Sequence, residues 1–352
     1  MKRGILTSFW IGTVMLVGCR QSSPSVPTMT ETWTLIGPSG MSEIRHLTVL
    51  PDSNRLVACG VPVVSETGLR LYDIETEQWT VPRDGLPADQ TVIMSTRHGS
   101  DLIAVVFSRE NGSGRLAVSH DAGITWPDSI PLPEAADPRC LLIREDSSTS
   151  WILGTVNTGL YLSDDLGTTW TQPDTPPDNP GIQCIIADPS HPDHLLTGTR
   201  IGIWESNDSG KNWIEITSRL VQNPVFIVDI VAHPRKTGCF LSIFRSETGT
   251  ASVMITLDGA ATWTSVQNGL YADSQPRCIA FHPTRESRLF MGTVYDGVYA
   301  SDDLGTQWYP INSGLPMNKP IIVHSLNCTG DATAVLRAGT NLDGHAFQLI
   351  NQ

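Results

Sequence analysis

The sequence predicts an all-β protein, a single seven-bladed β-propeller with four-stranded blades, and three observations predict it. Thirty Gly and 24 Pro divide the chain into short pieces, and no stretch of ten or more residues keeps apolar residues at i, i+3, i+4 and i+7. The octet SDDLGTTW at 163–170 returns as SDDLGTQW at 301–308. Trp33, Trp79, Trp126, Trp170, Trp213, Trp263 and Trp308 lie 46, 47, 44, 43, 50 and 45 residues apart. Four strands of about five or six residues, with their turns, fill one such period.

The first residues read as a leader. Residues 1–18 carry a basic start, an apolar run from Ile5 to Leu16, and a small residue before Cys19. A helix that crosses a bilayer needs about 20 apolar residues, so this run is too short to be a permanent span. LVGC at 16–19 matches the bacterial lipobox. The match implies a signal peptide over 1–18 and a lipidated, acylated Cys19 as the mature terminus; an ordinary secretory leader is the other reading. Several acyl chains on one residue anchor a protein stably. Arg20 rather than Asp after Cys19 points to the outer membrane of a Gram-negative cell, with the protein periplasmic or at the cell surface. Residues 19–32 then read as a polar Ser/Thr/Pro tether with nothing to pack.

The propeller is expected over 33–352. TWTLI at 32–36 is a lone fourth strand, and the chain ends on three strands, IIVHSL, TAVLRAGT and HAFQLI, that lack a fourth. Pairing the two ends completes a seventh blade and leaves no open sheet edge. Six blades with a stray strand is the alternative. Between the ends, inner strands RCLLI (139–143), QCIIA (183–187), VDIVA (228–232) and RCIAF (277–281) are apolar on both faces, as strands between neighbouring blades must be. Asp188, His233 and His282 begin the turns that follow three of them. Second strands end in Gly-Thr at 154–155, 198–199, 292–293 and 339–340, and GLYLS, GIWES and GVYAS lead into the octet and the tryptophan of the fourth strand.

SHDAGITW (119–126) and SDDLGTTW fit S-x-D-x-G-x-T-W throughout, while SNDSGKNW (206–213) and SDDLGTQW miss only the Thr. TLDGAATW (256–263) displaces its glycine by one residue, which predicts a different turn; LYDIETEQW (71–79) keeps only a carboxylate and the Trp. The set resembles the Asp-box (BNR) repeat of the sialidase, xyloglucanase and sortilin-like propellers. In that reading Asp121, Asp165, Asp208, Asp258 and Asp303 accept turn N–H groups, and Gly123, Gly167, Gly210 and Gly305 supply backbone conformations awkward for other residues. Trp126, Trp170, Trp213, Trp263 and Trp308 bury a large rigid surface against the next blade. These are fold residues, not catalytic ones.

Catalytic signatures are sparse. Six cysteines remain after Cys19, and Cys140, Cys184 and Cys278 share one place on the inner strands, with Asp229 there in a fourth blade, so unpaired buried thiols are expected rather than disulfides. No C-x-x-C, H-E-x-x-H, G-x-S-x-G, phosphate-loop or dinucleotide motif is present, and His233 and His282 are turn residues before Pro. No metal or cofactor is predicted. A sialidase needs an arginine triad, a Tyr/Glu pair and an early arginine motif, for which VPRD at 81–84 is a poor substitute. Xyloglucanases, closer in repeat style over 187–213, build their cleft between two propellers. The combination of lipobox, one ring and Asp-boxes also resembles the lipoprotein propellers that assist photosystem II assembly, but no arginine-rich patch is legible in the sequence.

A formal net charge of −13 with only four Lys argues against nucleic-acid ligands. The reading is therefore a lipid-anchored, monomeric propeller that binds a protein or glycan partner without catalysis, with a glycoside hydrolase as the alternative. Ligands of propellers approach the face carrying the loops between second and third strands and between fourth and first. That face should present Arg200, Arg245, Tyr295 and Asp296, with Asp229 at the channel rim.

Overall fold

The structure, a computed structural model, describes residues 32–350 apart from 38–40, 64–65, 89, 109, 111, 145–149, 175–180, 221–225, 247 and 331–333. The leader, Cys19 and the tether at 1–31 lie outside the described residues.

Strand β1 (Thr34–Gly37) precedes six sheets built in chain order from neighbouring antiparallel strands. Blade 1 is β2 (Met41–Leu50), β3 (Arg55–Pro62), β4 (Leu69–Asp73) and β5 (Gln78–Thr80); blade 2 is β6 (Thr91–His98), β7 (Asp101–Ser108), β8 (Ser113–Ser119) and β9 (Asp128–Pro131). Blade 3 holds β10 (Pro138–Ile143), β11 (Trp151–Thr155) and β12 (Leu160–Ser163). Its expected fourth strand shrinks to one bridge, Leu162 with Thr171. Blade 4 is β13 (Ile182–Asp188), β14 (His191–Thr199), β15 (Ile203–Ser206) and β16 (Ile214–Glu215); blade 5 is β17 (Phe226–Ala232), β18 (Phe240–Arg245), β19 (Ala251–Thr256) and β20 (Thr264–Ser265). Blade 6 is β21 (Gln275–Phe281), β22 (Leu289–Val294), β23 (Val298–Ser301) and β24 (Tyr309–Pro310).

The seventh blade closes the ring. β25 (Val323–Thr329), β26 (Val335–Thr340) and β27 (Ala346–Ile350) are completed by β1, with Thr34 opposite Gln348 and Leu35 opposite Phe347. Trp33 donates its indole N–H to Ile311 O at 2.6 Å and its backbone N–H to Ser313 O at 2.8 Å, which ties the first strand to blade 6 as well.

The core is a circle of apolar clusters, one between each pair of neighbouring blades. Leu71 and Val57 of blade 1 meet Leu102 and Trp126 of blade 2, and so on round to Met41 and Tyr72, which meet Ala346. Trp33, Trp126, Trp213, Trp263 and Trp308 are buried in these seams, while Trp79 and Trp170 are only partly so.

The Asp-box turns repeat almost atom for atom. In blade 2 the Ser119 hydroxyl donates to Asp121 Oδ1 at 2.8 Å and accepts the Gly123 N–H at 2.8 Å, while the Thr125 N–H and hydroxyl both donate to the Asp121 carboxylate. The same four bonds recur around Asp165 and, with Asn212 for the Thr, around Asp208. Around Asp303 the Ser301 and Gly305 bonds and the Gln307 N–H recur. The expectation of a different turn around Asp258 is corrected: Thr256, Ala260 and Thr262 make the same bonds. Two successive left-handed residues define this turn, and in blade 5 Gly259 (φ 72°) takes the first place and Ala260 (φ 72°) the second.

Candidate binding site at the channel mouth

Each of the seven inner strands skips a residue at the matching place in its ladder, and β2 skips Ser42 as well. The residues skipped at the matching place are Arg45, Ile93, Arg139, Gln183, Val228, Arg277 and His324, one per blade. A bulged residue has no partner opposite it, so its side chain leaves the sheet's alternation and is aimed independently. All seven line one cavity of about 660 Å³ at the mouth of the central channel. Arg245, the last residue of β18, joins them. Four guanidinium groups thus meet in a chain whose net charge is −13.

Two of the four are held by neighbours. Arg45 Nε donates to Glu43 Oε1 at 2.6 Å, and Glu43 Oε2 lies 3.2 Å from His324 Nε2. His324 Nδ1 in turn accepts Arg277 Nε at 3.1 Å. The His324 imidazole, helped by Arg45 and against the effect of burial, holds Glu43 down at about 2. Burial, and after it the like charges of Arg139 and Arg245, lower the pKa of Arg277. Arg245 Nε is buried with no partner among the described residues. An unpartnered guanidinium N–H in a cavity is a donor waiting for an acceptor.

Asp229 sits at the same mouth, one residue after the bulge of β17. Burial raises its carboxyl to about 6, opposed by the N–H groups of Ile279 and Ile230 and by Arg139. His46, also in the lining, is pushed down to about 4 by burial. The six described cysteines are unpaired, and burial raises the Cys140 thiol to about 12. Cys140, Cys184 and Cys278 fill the ring places after the bulges because second-strand glycines lie opposite: a Cβ on Gly154, Gly198 or Gly292 would come within 3 Å of the facing sulfur.

Of the five sequence-predicted site residues, Asp229 and Arg245 line the cavity and three do not. Arg200 is exposed, with its N–H bonded to Gly181 O. Tyr295 projects from a left-handed turn (φ 83°), and the Asp296 carboxylate accepts the Ser274 hydroxyl at 2.7 Å, a loop-fixing contact. The absence of an arginine patch expected from sequence is corrected: the bulges bring Arg45, Arg139 and Arg277, from blades 1, 3 and 6, to one opening. The signal was the recurrent residue just before the Cys position, Arg139 and Arg277 among them, masked by strict alternation. His233 and His282 are turn residues, each accepting backbone N–H groups at Nδ1.

No family model matches the sequence. A stretch of 118 residues is 37% identical to a probable oligoxyloglucan-reducing end-specific xyloglucanase of Neosartorya fischeri, covering 30% of this chain and 14% of that protein. The whole ring superposes on solved structures: an ancestral GH74 enzyme (TM-score 0.70, 14% identity, 90% of this chain and 46% of that one) and the GH74 xyloglucanase of Xanthomonas campestris (0.66, 17%, 88% and 53%). It also superposes on YCF48 bound to D1 peptide, with TM-score 0.65 and 14% identity over 91% of this chain and 97% of that one. In fold, this is a xyloglucanase-like propeller. The propeller spans about half the length of the two GH74 chains and nearly all of YCF48.

Proposed function

We propose that the protein is an exported, lipid-anchored and monomeric binding module whose channel mouth receives an anionic segment of a protein partner, without catalysis. The observation that carries this reading is the cluster of four arginines, three on bulges and Arg245 at the end of β18, with the Arg245 Nε donor unused among the described residues. Apolar walls from Ile93, Met94, Phe107 and Phe226 beside the guanidinium groups suit an acidic peptide better than a sugar, whose hydroxyls need more polar partners. YCF48, similar along nearly its whole length, has been solved bound to D1 peptide.

The test is binding of a rhodamine-labelled tetra-aspartate peptide to the full-length protein. Arg139→Ala and Arg245→Ala should each weaken binding by about tenfold, and added salt should weaken it further. Unchanged affinity in both variants would overturn the reading. The glycoside hydrolase reading draws on Asp229, whose raised carboxyl is suited to a general acid. Release of the aryl group from aryl glycosides by the wild type, lost in Asp229→Asn, would favour it instead. The described lining carries a second carboxylate, Asp137, beside Asp229, and no Tyr or Glu. For the anchor, Cys19→Ser should move the protein from the membrane to the soluble fraction; fractionation by immunoblot reads this directly.

A further inference from the structure

We propose that Asp229 is a built-in competitor for the mouth's arginines, so that an anionic ligand enters together with a proton. The inference rests on the reading of the mouth as a ligand site. Asp229 occupies the ring place that Cys140, Cys184 and Cys278 hold in other blades, and opposite it stands Ile243 where those thiols face glycine. A carboxyl group therefore stands where four other blades place Cys140, Cys184, Cys278 and Ser325 and the remaining two place His46 and Met94. Its Oδ2 accepts the Ile279 N–H of the next blade at 3.3 Å, and it forms no salt bridge among the described residues.

The groups around it are Arg139 and Cys140 on β10, Cys184 on β13, Arg245 on β18, and Arg277 and Cys278 on β21. Asp137, just before β10, Glu43, Arg45 and His46 on β2, and His324 on β25 are the other charged or titratable groups at the mouth. Burial holds all three thiols protonated, Glu43 at about 2 stays charged, and His46 at about 4 stays neutral. Asp229, raised to about 6, changes charge close to neutral pH. Charged, it offsets the arginines and repels an incoming carboxylate. Protonated, it offers the same carboxylate an O–H donor.

Linkage then fixes the readout: one proton taken up per ligand makes affinity fall about tenfold per pH unit above pH 6 and level off below it. Titrating the rhodamine-labelled tetra-aspartate peptide between about pH 5.5 and 8.5 should give that slope for the wild type. Asp229→Asn should bind with the wild type's low-pH affinity throughout, and Asp229→Ser, copying the residue type at 325, should do the same if the amide disturbs packing. A slope retained in both variants overturns the proposal. So does flat binding by the wild type, or a slope removed by His324→Gln but not by Asp229→Asn. No binding by any of the proteins at any pH removes the mouth reading and this inference with it.

Discussion

At the scale of single residues, the Asp-box turn is a backbone problem with a side-chain solution. Gly123 has φ 89°, and a Cβ there would lie 2.9 Å from Leu71 Cδ2. Gly123→Ala should destabilise by about 1–2 kcal/mol. Ala260 already bears a left-handed φ, so Ala260→Gly should be neutral or stabilising by up to about 1 kcal/mol, both read from urea midpoints. The carboxylates add a pH signature. Bonds from the Thr262 hydroxyl and N–H hold Asp258 at about 2. Its folded value lies below the roughly 3.9 of an unfolded Asp, so the contribution is whole above about pH 4 and fades as pH falls toward 2. Urea midpoints of Asp258→Asn should therefore fall less steeply than wild type over that window and meet it at the acid end.

At the scale of elements, each fourth strand hands over to the next blade. In three seams a glycine six residues past the tryptophan makes the transfer: Cβ atoms on Gly85, Gly269 and Gly314 would come 1.9, 2.0 and 2.4 Å from the carbonyl oxygens of Trp126, Trp308 and Trp33. Gly269→Ala must move backbone rather than a side chain, and we expect a loss of about 2–4 kcal/mol, larger than for Gly123→Ala in the same assay. This scale also marks how much the sequence revealed. Tryptophan spacing and Gly-Thr strand ends located the blades because both are dictated by seam packing and tight turns. The Thr of that pair does visible work, as Thr155, Thr199 and Thr293 hydroxyls close the turn onto Gly159, Gly202 and Gly297. The mouth was hidden because a bulge shifts inward and outward places by one, so Arg139 and Arg277 read as ordinary alternating residues. Blade 3 lost its fourth strand to a single bridge, something no spacing of Trp170 could reveal.

At the scale of the whole molecule, closure is a pairing of ends. Strand β1 is held to β27 by the ladder and to blade 6 by Trp33, so both neighbours depend on it. Replacing Thr34 and Leu35 with Pro removes ladder N–H groups, and unfolding should lose its single cooperative transition as the seventh blade exposes an edge. A permutant that starts at Met41 and carries residues 32–37 after a short linker beyond Ile350 should restore one sharp transition, because β27 and β1 then form an ordinary hairpin. Equal cooperativity in the proline variant and the wild type would show that closure contributes little.

The seven bulged positions have a consequence for how such a molecule changes over generations. A residue without a rung to hold is free of the pleat's demands, so Arg, Ile, Gln, Val and His can all stand there while the sheets behind them stay still. A gene for this scaffold carries a seven-letter word facing the central cavity, and selection can respell it one letter at a time.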